Sequence, residues 1–166
     1  EADFGKEMMT QEKAWINLMW SGDAVWAIDE ASEVDVELGY EVPKEGSIVW
    51  FDGWVIPKYA RNLRAARYFI DYMCMPDNAI RNMDATGYVS VVATQEVFDA
   101  LEDLCYSEPE VCDLSYFFVG EDGEPIEGSE AVVADPVLFP DRSVIERSGV
   151  MHDSGDRTDK MLEMWS

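Results

Sequence analysis

The chain has few basic residues and no long apolar run, and each shortage disfavours a class of function. Only 12 of its 166 residues are Lys or Arg, against 35 Asp and Glu, which gives a formal net charge of −23. Nucleic acid and anionic lipid surfaces are therefore disfavoured as partners, because phosphate contacts need a basic surface. No apolar run reaches the roughly 18–20 residues that a membrane span requires.

The residues of catalytic and metal sites are also scarce. His152 is the one histidine, and the three cysteines form no CxxC motif, so no metal site is predicted. The sequence contains no GxSxG, HExxH, phosphate-binding loop or GxGxxG motif, and we predict neither enzymatic activity nor a cofactor. Cys74 lies in an apolar helical pattern and is expected to be buried, whereas the sequence leaves open whether Cys105 and Cys112 form a disulfide.

Two features of the whole chain bear on its origin and its ligand. It begins at Glu1 rather than Met and carries no signal peptide, which predicts a processed protein or a fragment. Its acidity favours a cationic ligand through the long-range field, or alternatively only keeps the protein soluble. Between Arg81 and Arg142 there are 15 acidic residues and no Lys or Arg, and this stretch is predicted to be a solvated face.

Predicted strands and helices alternate along the chain. Residues 14–20 and 47–57 are predicted to be strands, the first of them buried, because they are apolar and rich in β-branched or aromatic residues. Periodic apolar stripes and proline punctuation predict helices at 63–74, 76–86, 95–105 and 156–165. Ser21 and Asp23 are expected to provide the N-cap of a short helix at 24–28. The alternation predicts an α/β fold, with a mixed, partly parallel sheet flanked by helices and ligands bound beyond strand carboxyl ends.

Trp50 and Asp52 form the clearest candidate binding feature. In a regular strand the two side chains point to the same face. An indole next to a carboxylate suits a ligand that is both apolar and cationic. The alternative is that Asp52 merely caps a turn with Gly53.

Several short motifs, taken in order, resemble the spermidine/putrescine-binding proteins of ABC importers. The motifs are WSGDA at 20–24, PKEGSIVWFD at 43–52, IP at 56–57, ARYFIDY at 66–72, TGY at 86–88 and LFPD at 138–141. The resemblance implies part of a two-lobed fold of the venus-flytrap type (periplasmic-binding-protein-like, type II). It implies a polyamine cleft lined by Trp20, Trp50, Asp52 and Tyr88. The indoles would stack on the methylene chain, Asp52 would pair with an amine, and Tyr88 would add a wall or a hydroxyl acceptor.

The resemblance also implies weaker candidates. Ser21, Met151 and His152 lie at or near ligand positions, although Met151 stands where the family has a polar residue. For Trp20 and Tyr88 the alternative is packing over the core.

By the same resemblance the chain is only the C-terminal part of such a protein. Residues 1–49 and 94–166 would belong to one lobe, and residues 51–93 would form an excursion into the other. We expect the excursion to fold back, to exchange with a second copy or to pack in a homodimer. The implied partners are a polyamine and an ABC transporter permease, and the implied location is periplasmic or extracytoplasmic, with membrane anchoring or fusion to a permease left open. A different cationic amine, or an acidic protein-interaction module without a small ligand, remains an alternative function.

Overall fold

Short helices dominate the chain, and its strands are two or three residues long. The computed structural model describes residues 2–165, with side chains from residue 4 to residue 164. The helices are α1 (Ala2–Thr10), α2 (Ser21–Ser32), α3 (Leu63–Met73), α4 (Pro76–Thr86), α5 (Gln95–Asp99), α6 (Arg142–Glu146) and α7 (Thr158–Trp165). Three 3₁₀ turns lie at Leu101–Asp103, Ser129–Ala131 and Gly155–Arg157. The strands are β1 (Ile48–Val49), β2 (Glu110–Cys112), β3 (Val132–Ala134) and β4 (Gly149–Val150).

The strands form two separate pairs within the described residues. β1 and β4 are parallel, with Ile48 opposite Gly149 and Val49 opposite Val150. β2 and β3 are antiparallel, with Val111 opposite Val133. The predicted combination of helices with parallel and antiparallel strands is therefore present, but as two small sheets rather than one mixed sheet.

The core lies between α2, α4, α5 and the segment from β2 to residue 139. Phe118 is its centre, because its ring contacts Phe98, Phe117 and Phe139 at centroid distances of 5.1, 4.9 and 6.1 Å. The buried apolar residues around it are Ala24, Val25, Met83, Val97, Leu101, Leu104, Cys112, Leu114, Ala134, Val137, Leu138 and Phe139. Burial of α2 and α4 on this core positions their termini, where the candidate site lies.

A fully buried carboxylate, Asp135, ties residues 106–107 to residues 135–137 within this core. Its Oδ2 accepts the backbone N–H groups of Tyr106 and Ser107 at 2.8 and 2.9 Å. Its Oδ1 accepts the Ser107 hydroxyl at 2.7 Å and the Val137 N–H at 2.8 Å. Four donors offset the cost of burying the carboxylate.

Helices α3 and α4 confirm the sequence prediction, because residues at their ends determine where they begin and end. The Asn62 side chain accepts the N–H of Ala65 at 3.0 Å and begins α3. Pro76 occupies the first turn of α4, where its missing N–H costs nothing. Gly87 ends α4 in the left-handed region at φ 70°.

Several structural predictions are wrong. The stretch between Arg81 and Arg142, predicted to be a solvated face, contributes core residues such as Val97 and Phe118, and the helix predicted at 95–105 ends as α5 at Asp99. Residues 14–20 form no strand, and the side chains of Trp15 and Leu18 are 89% and 99% exposed. β1 ends at Val49, so Trp50 and Asp52 lie in irregular chain beyond it rather than on one face of a strand. The N-cap of α2 is Trp20, without a side-chain cap, and Asp23 lies inside the first turn.

The prediction for Cys74 is also wrong, and the open question about Cys105 and Cys112 is answered. Cys74 is exposed rather than buried. The apolar stripe of α3, on which that prediction rested, meets no core, and none of its residues is buried. Cys105 and Cys112 are free thiols, Cys105 partly exposed and Cys112 buried.

Candidate functional site

Two glycines bring the start of α2 against the end of α4. A Cβ at Gly22 would overlap the ring of Tyr88, and one at Gly87 would lie 3.0 Å from the carbonyl oxygen of Gly22. The positive φ of Gly87 also turns the chain so that Tyr88 follows directly over α2. The Tyr88 ring therefore lies against the first turn of α2, half-buried.

Trp20, Trp50 and Tyr88 form a row of three aromatic side chains, which we call the aromatic row. Trp50 is in the middle. Its ring centroid lies 6.0 Å from that of Trp20, at an interplanar angle of 50°, and 6.1 Å from that of Tyr88, at 68°. Both separations are within the range of attractive aromatic contacts. Trp20 is largely exposed and Trp50 is half-buried, so the row presents aromatic surface to solvent.

The parallel pair β1–β4 fixes the position of Trp50. The pairing continues past β4, because the N–H of Met151 donates to the carbonyl oxygen of Val49 at 2.8 Å. Trp50 and Met151 thus leave the carboxyl ends of two adjacent parallel strands side by side. Such ends are the usual location of ligand sites in α/β folds.

Carboxylates lie at the Tyr88 end of the aromatic row. Burial, and after it the charge of Asp23, raises the pKa of the Tyr88 hydroxyl, and the charge of Asp52 acts in the same direction. The nearby backbone of Asp23 and the charge of Lys6 act in the opposite direction and lower the same pKa. Asp23, Asp52 and Lys6 are therefore all within electrostatic reach of one phenol oxygen. Asp52 itself is exposed.

An ion pair inside the chain engages one of these carboxylates. Lys6 Nζ lies 2.9 Å from Asp23 Oδ1, and the two side chains are only 14% and 16% exposed. The same Nζ lies 4.9 Å from the ring centroid of Trp26, in cation–π geometry. The second oxygen, Asp23 Oδ2, is buried and has no hydrogen-bond partner among the described residues.

Comparison with known proteins places this geometry in a family. A family model described as bacterial extracellular solute-binding protein matches residues 1–101, more than half of the chain. The chain belongs to that family. The matched segment includes the whole aromatic row, Asp23 and Asp52.

Curated relatives match a shorter segment of the chain. The spermidine/putrescine-binding periplasmic protein of Escherichia coli (strain K12) is 33% identical over 73 residues, which are 44% of this chain and 20% of that protein. The putrescine-binding periplasmic protein PotF of the same organism is 32% identical over 73 residues, or 43% of this chain and 20% of PotF. The spermidine/putrescine-binding periplasmic protein of Salmonella typhimurium is 32% identical over 73 residues, again 20% of its length. The match thus spans about a fifth of each relative, and no solved structure matches.

The weaker candidates of the solute-binding site are spread over two places. Ser21 follows Trp20 in the first turn of α2. Met151 lies beside Trp50, and both it and His152 are exposed. His152 also lines a cavity of about 440 Å³, together with Asp153, Ser154, Arg157, Lys160, Met161 and Met164. The two basic side chains in that wall disfavour a cation there, so His152 faces a different environment from the aromatic row.

Sequence reasoning missed the two residues that organise the acidic end. Asp23 was expected to be an N-cap, and Lys6 was not considered. The available signal was small: Lys6 and Lys13 are the only basic residues before Lys44. Gly22 and Gly87 allow the close approach that lets Tyr88 lie on α2.

None of the described helices combines the length and the apolar character needed to cross a bilayer.

Proposed function

We propose that the chain is part of the extracytoplasmic component of an ABC importer, that it captures a polyamine such as spermidine or putrescine, and that it does so without covalent chemistry. The observation that carries the proposal is the aromatic row with Trp50 at 6.0 and 6.1 Å from its neighbours and carboxylates at one end. The names of the matched relatives support the same ligand class.

The proposed contacts follow from the two chemistries of a polyamine. Its methylene chain is apolar, and the faces of Trp20 and Trp50 offer surface on which it can stack. Its ammonium groups need anionic acceptors, and Asp52 is the exposed carboxylate at the row. Tyr88 would provide an aromatic wall or a hydroxyl acceptor at the end of the row.

The magnitudes indicate that this segment supplies only part of the affinity. An exposed cation–π contact contributes roughly 0.5–1 kcal/mol and a desolvated one about 2. A micromolar complex requires about 8 kcal/mol. Two or three contacts fall short of this, so the rest would come from contacts outside this chain, and closure of two lobes would strengthen all of them by excluding water.

The proposal includes the type II, two-lobed architecture, with residues 1–49 and 94–166 in one lobe and 51–93 in the other. Support comes from residues 51–75, most of whose large apolar side chains are exposed, among them Phe51, Trp54, Val55, Tyr59 and Phe69. Trp54 contacts Phe69 at a centroid distance of 5.2 Å, so this segment packs on itself. A surface of this kind fits an excursion that is covered by another lobe. The support stops at α4, because Ala79 and Met83 are buried against the rest of the chain.

The test is the substitution Asp52→Asn in the full-length protein in which this chain occurs. Loss of one charge-assisted hydrogen bond, worth about 1.5–3 kcal/mol, should weaken spermidine and putrescine binding roughly 10- to 100-fold by calorimetry. Asp71→Asn, an exposed acid on α3, is the matched control and should leave affinity unchanged. Equal affinities in both variants would refute the role of Asp52 and favour an acidic interaction module without a small ligand.

A further inference from the structure

Lys6 brings a positive charge of the chain's own to the acidic end of the aromatic row. Its ammonium lies between the carboxylate of Asp23, at 2.9 Å, and the face of Trp26, at 4.9 Å. A carboxylate on one side and an indole on the other are the surroundings that the proposed site offers to a ligand amine. The pair is mostly buried, so solvent screens it weakly.

The Lys6–Asp23 pair belongs to the same electrostatic environment as Asp52. Asp23 is adjacent to Gly22, on which the Tyr88 ring lies. After burial, which is the largest influence, the charges of Asp23, Lys6 and Asp52 all act on the Tyr88 hydroxyl. Two carboxylates therefore lie near one end of the row, and an ammonium of the chain already engages one of them.

We propose that Lys6 is a specificity-determining residue that substitutes for one ligand amine, holding Asp23 and leaving Asp52 to the ligand. The inference rests on the proposed function. While Lys6 is paired with Asp23, this end of the cleft accepts one ammonium group. A ligand whose second ammonium group reaches Asp23 has to displace Lys6.

The first test compares a dication with a monocation of similar length in the full-length protein. Lys6→Met should bind putrescine about tenfold more tightly than wild type, because one charge-assisted hydrogen bond becomes available. N-acetylputrescine, which has a single ammonium, should change less than about threefold. Lys6→Arg, which keeps the charge, and Lys13→Met, which removes an exposed charge from the same part of the chain, should both bind as wild type does.

A double variant and a variant-free measurement protect the test against a folding defect. Lys6→Met with Asp23→Asn leaves no unpaired buried charge and should lose the gain for putrescine. In the wild-type protein, saturating putrescine should release Lys6 and raise its rate of acylation several-fold by mass spectrometry, with Lys13 as the internal reference. N-acetylputrescine should leave that rate unchanged.

The outcomes separate this inference from the proposed function. The role of Lys6 is overturned if Lys6→Met changes the affinities for putrescine and N-acetylputrescine equally, or changes neither. It is also overturned if putrescine does not raise the acylation rate of Lys6. Under those results a loss of affinity in Asp52→Asn still supports polyamine capture. If neither wild type nor Lys6→Met binds an amine, the proposed function fails, and this inference fails with it.

Discussion

Gly22→Ala tests the contact on which the aromatic row depends. Gly22 is buried at the second position of α2, and a Cβ there would overlap three ring atoms of Tyr88. Either the ring moves away or the start of α2 retreats from α4. Both responses separate Tyr88 from Trp50, whose rings are now 6.1 Å apart.

The expected magnitude comes from three opposing contributions. Overpacking a buried contact costs about 1–3 kcal/mol. Loss of the edge-on aromatic contact costs roughly 0.5–1.5 kcal/mol. Alanine in place of glycine stabilises a helix by about 1 kcal/mol. The net loss in the free energy of unfolding should be about 1–3 kcal/mol, and polyamine affinity should fall with it because the row is disrupted.

Urea unfolding followed by tryptophan fluorescence measures the change, and Gly53→Ala is the matched control. A Cβ added at Gly53 would have no other atom within 4 Å, and Gly53 has an ordinary φ. Its substitution should therefore change the free energy of unfolding by less than about 0.5 kcal/mol. If Gly22→Ala is as stable as wild type and keeps the same near-ultraviolet circular dichroism, Tyr88 does not lie on Gly22 and the reasoning is refuted.

Two further predictions concern the core and its pH dependence. Asp135→Asn should lower the free energy of unfolding by about 2–4 kcal/mol. Both carboxylate oxygens accept backbone N–H bonds, and the asparagine amide, in either orientation, places its own N–H group against one of these donors. A variant as resistant to denaturation as Asp71→Asn would contradict this. Burial, and then the charge of Asp141, raises the pKa of Tyr116 from 10.0 to about 12. The unfolded chain therefore loses this proton first, so the contribution of Tyr116 to stability should be constant below pH 10.0 and decline towards pH 12. Tyr116→Phe should reduce that decline in urea titrations, and an identical decline would count against the assignment.

Elements with local signals were predictable from the sequence. The boundaries of α3 and α4 follow from Asn62, Pro76 and Gly87, each of which acts on its own neighbouring backbone. The aromatic and acidic composition of the site was predictable in the same sense, since the resemblance named Trp20, Trp50 and Tyr88, which the structure brings together.

Elements that depend on a distant partner were not predictable. Residues 14–20 have the composition of a buried strand, but a pattern cannot specify what covers it, and Trp15 is exposed. The strand predicted at 47–57 is observed only as β1, because only Ile48 and Val49 are paired with β4, about 100 residues away in sequence. The prediction that Cys74 is buried is wrong for the same reason, since an apolar stripe predicts a buried face only where a partner exists.

The acidic end of the site shows why composition underdetermines electrostatics. A formal charge of −23 suggests that any carboxylate near the row is open to a cation. One lysine changes this for Asp23, because a buried ion pair in low dielectric outweighs the screened field of many distant acids. Asp52 differs from Asp23 by being exposed, not by its chemistry. The number of ligand charges that the site can accept therefore depends on which carboxylates the chain has already paired, and this follows from the packing of α1 on α2 rather than from the count of acids.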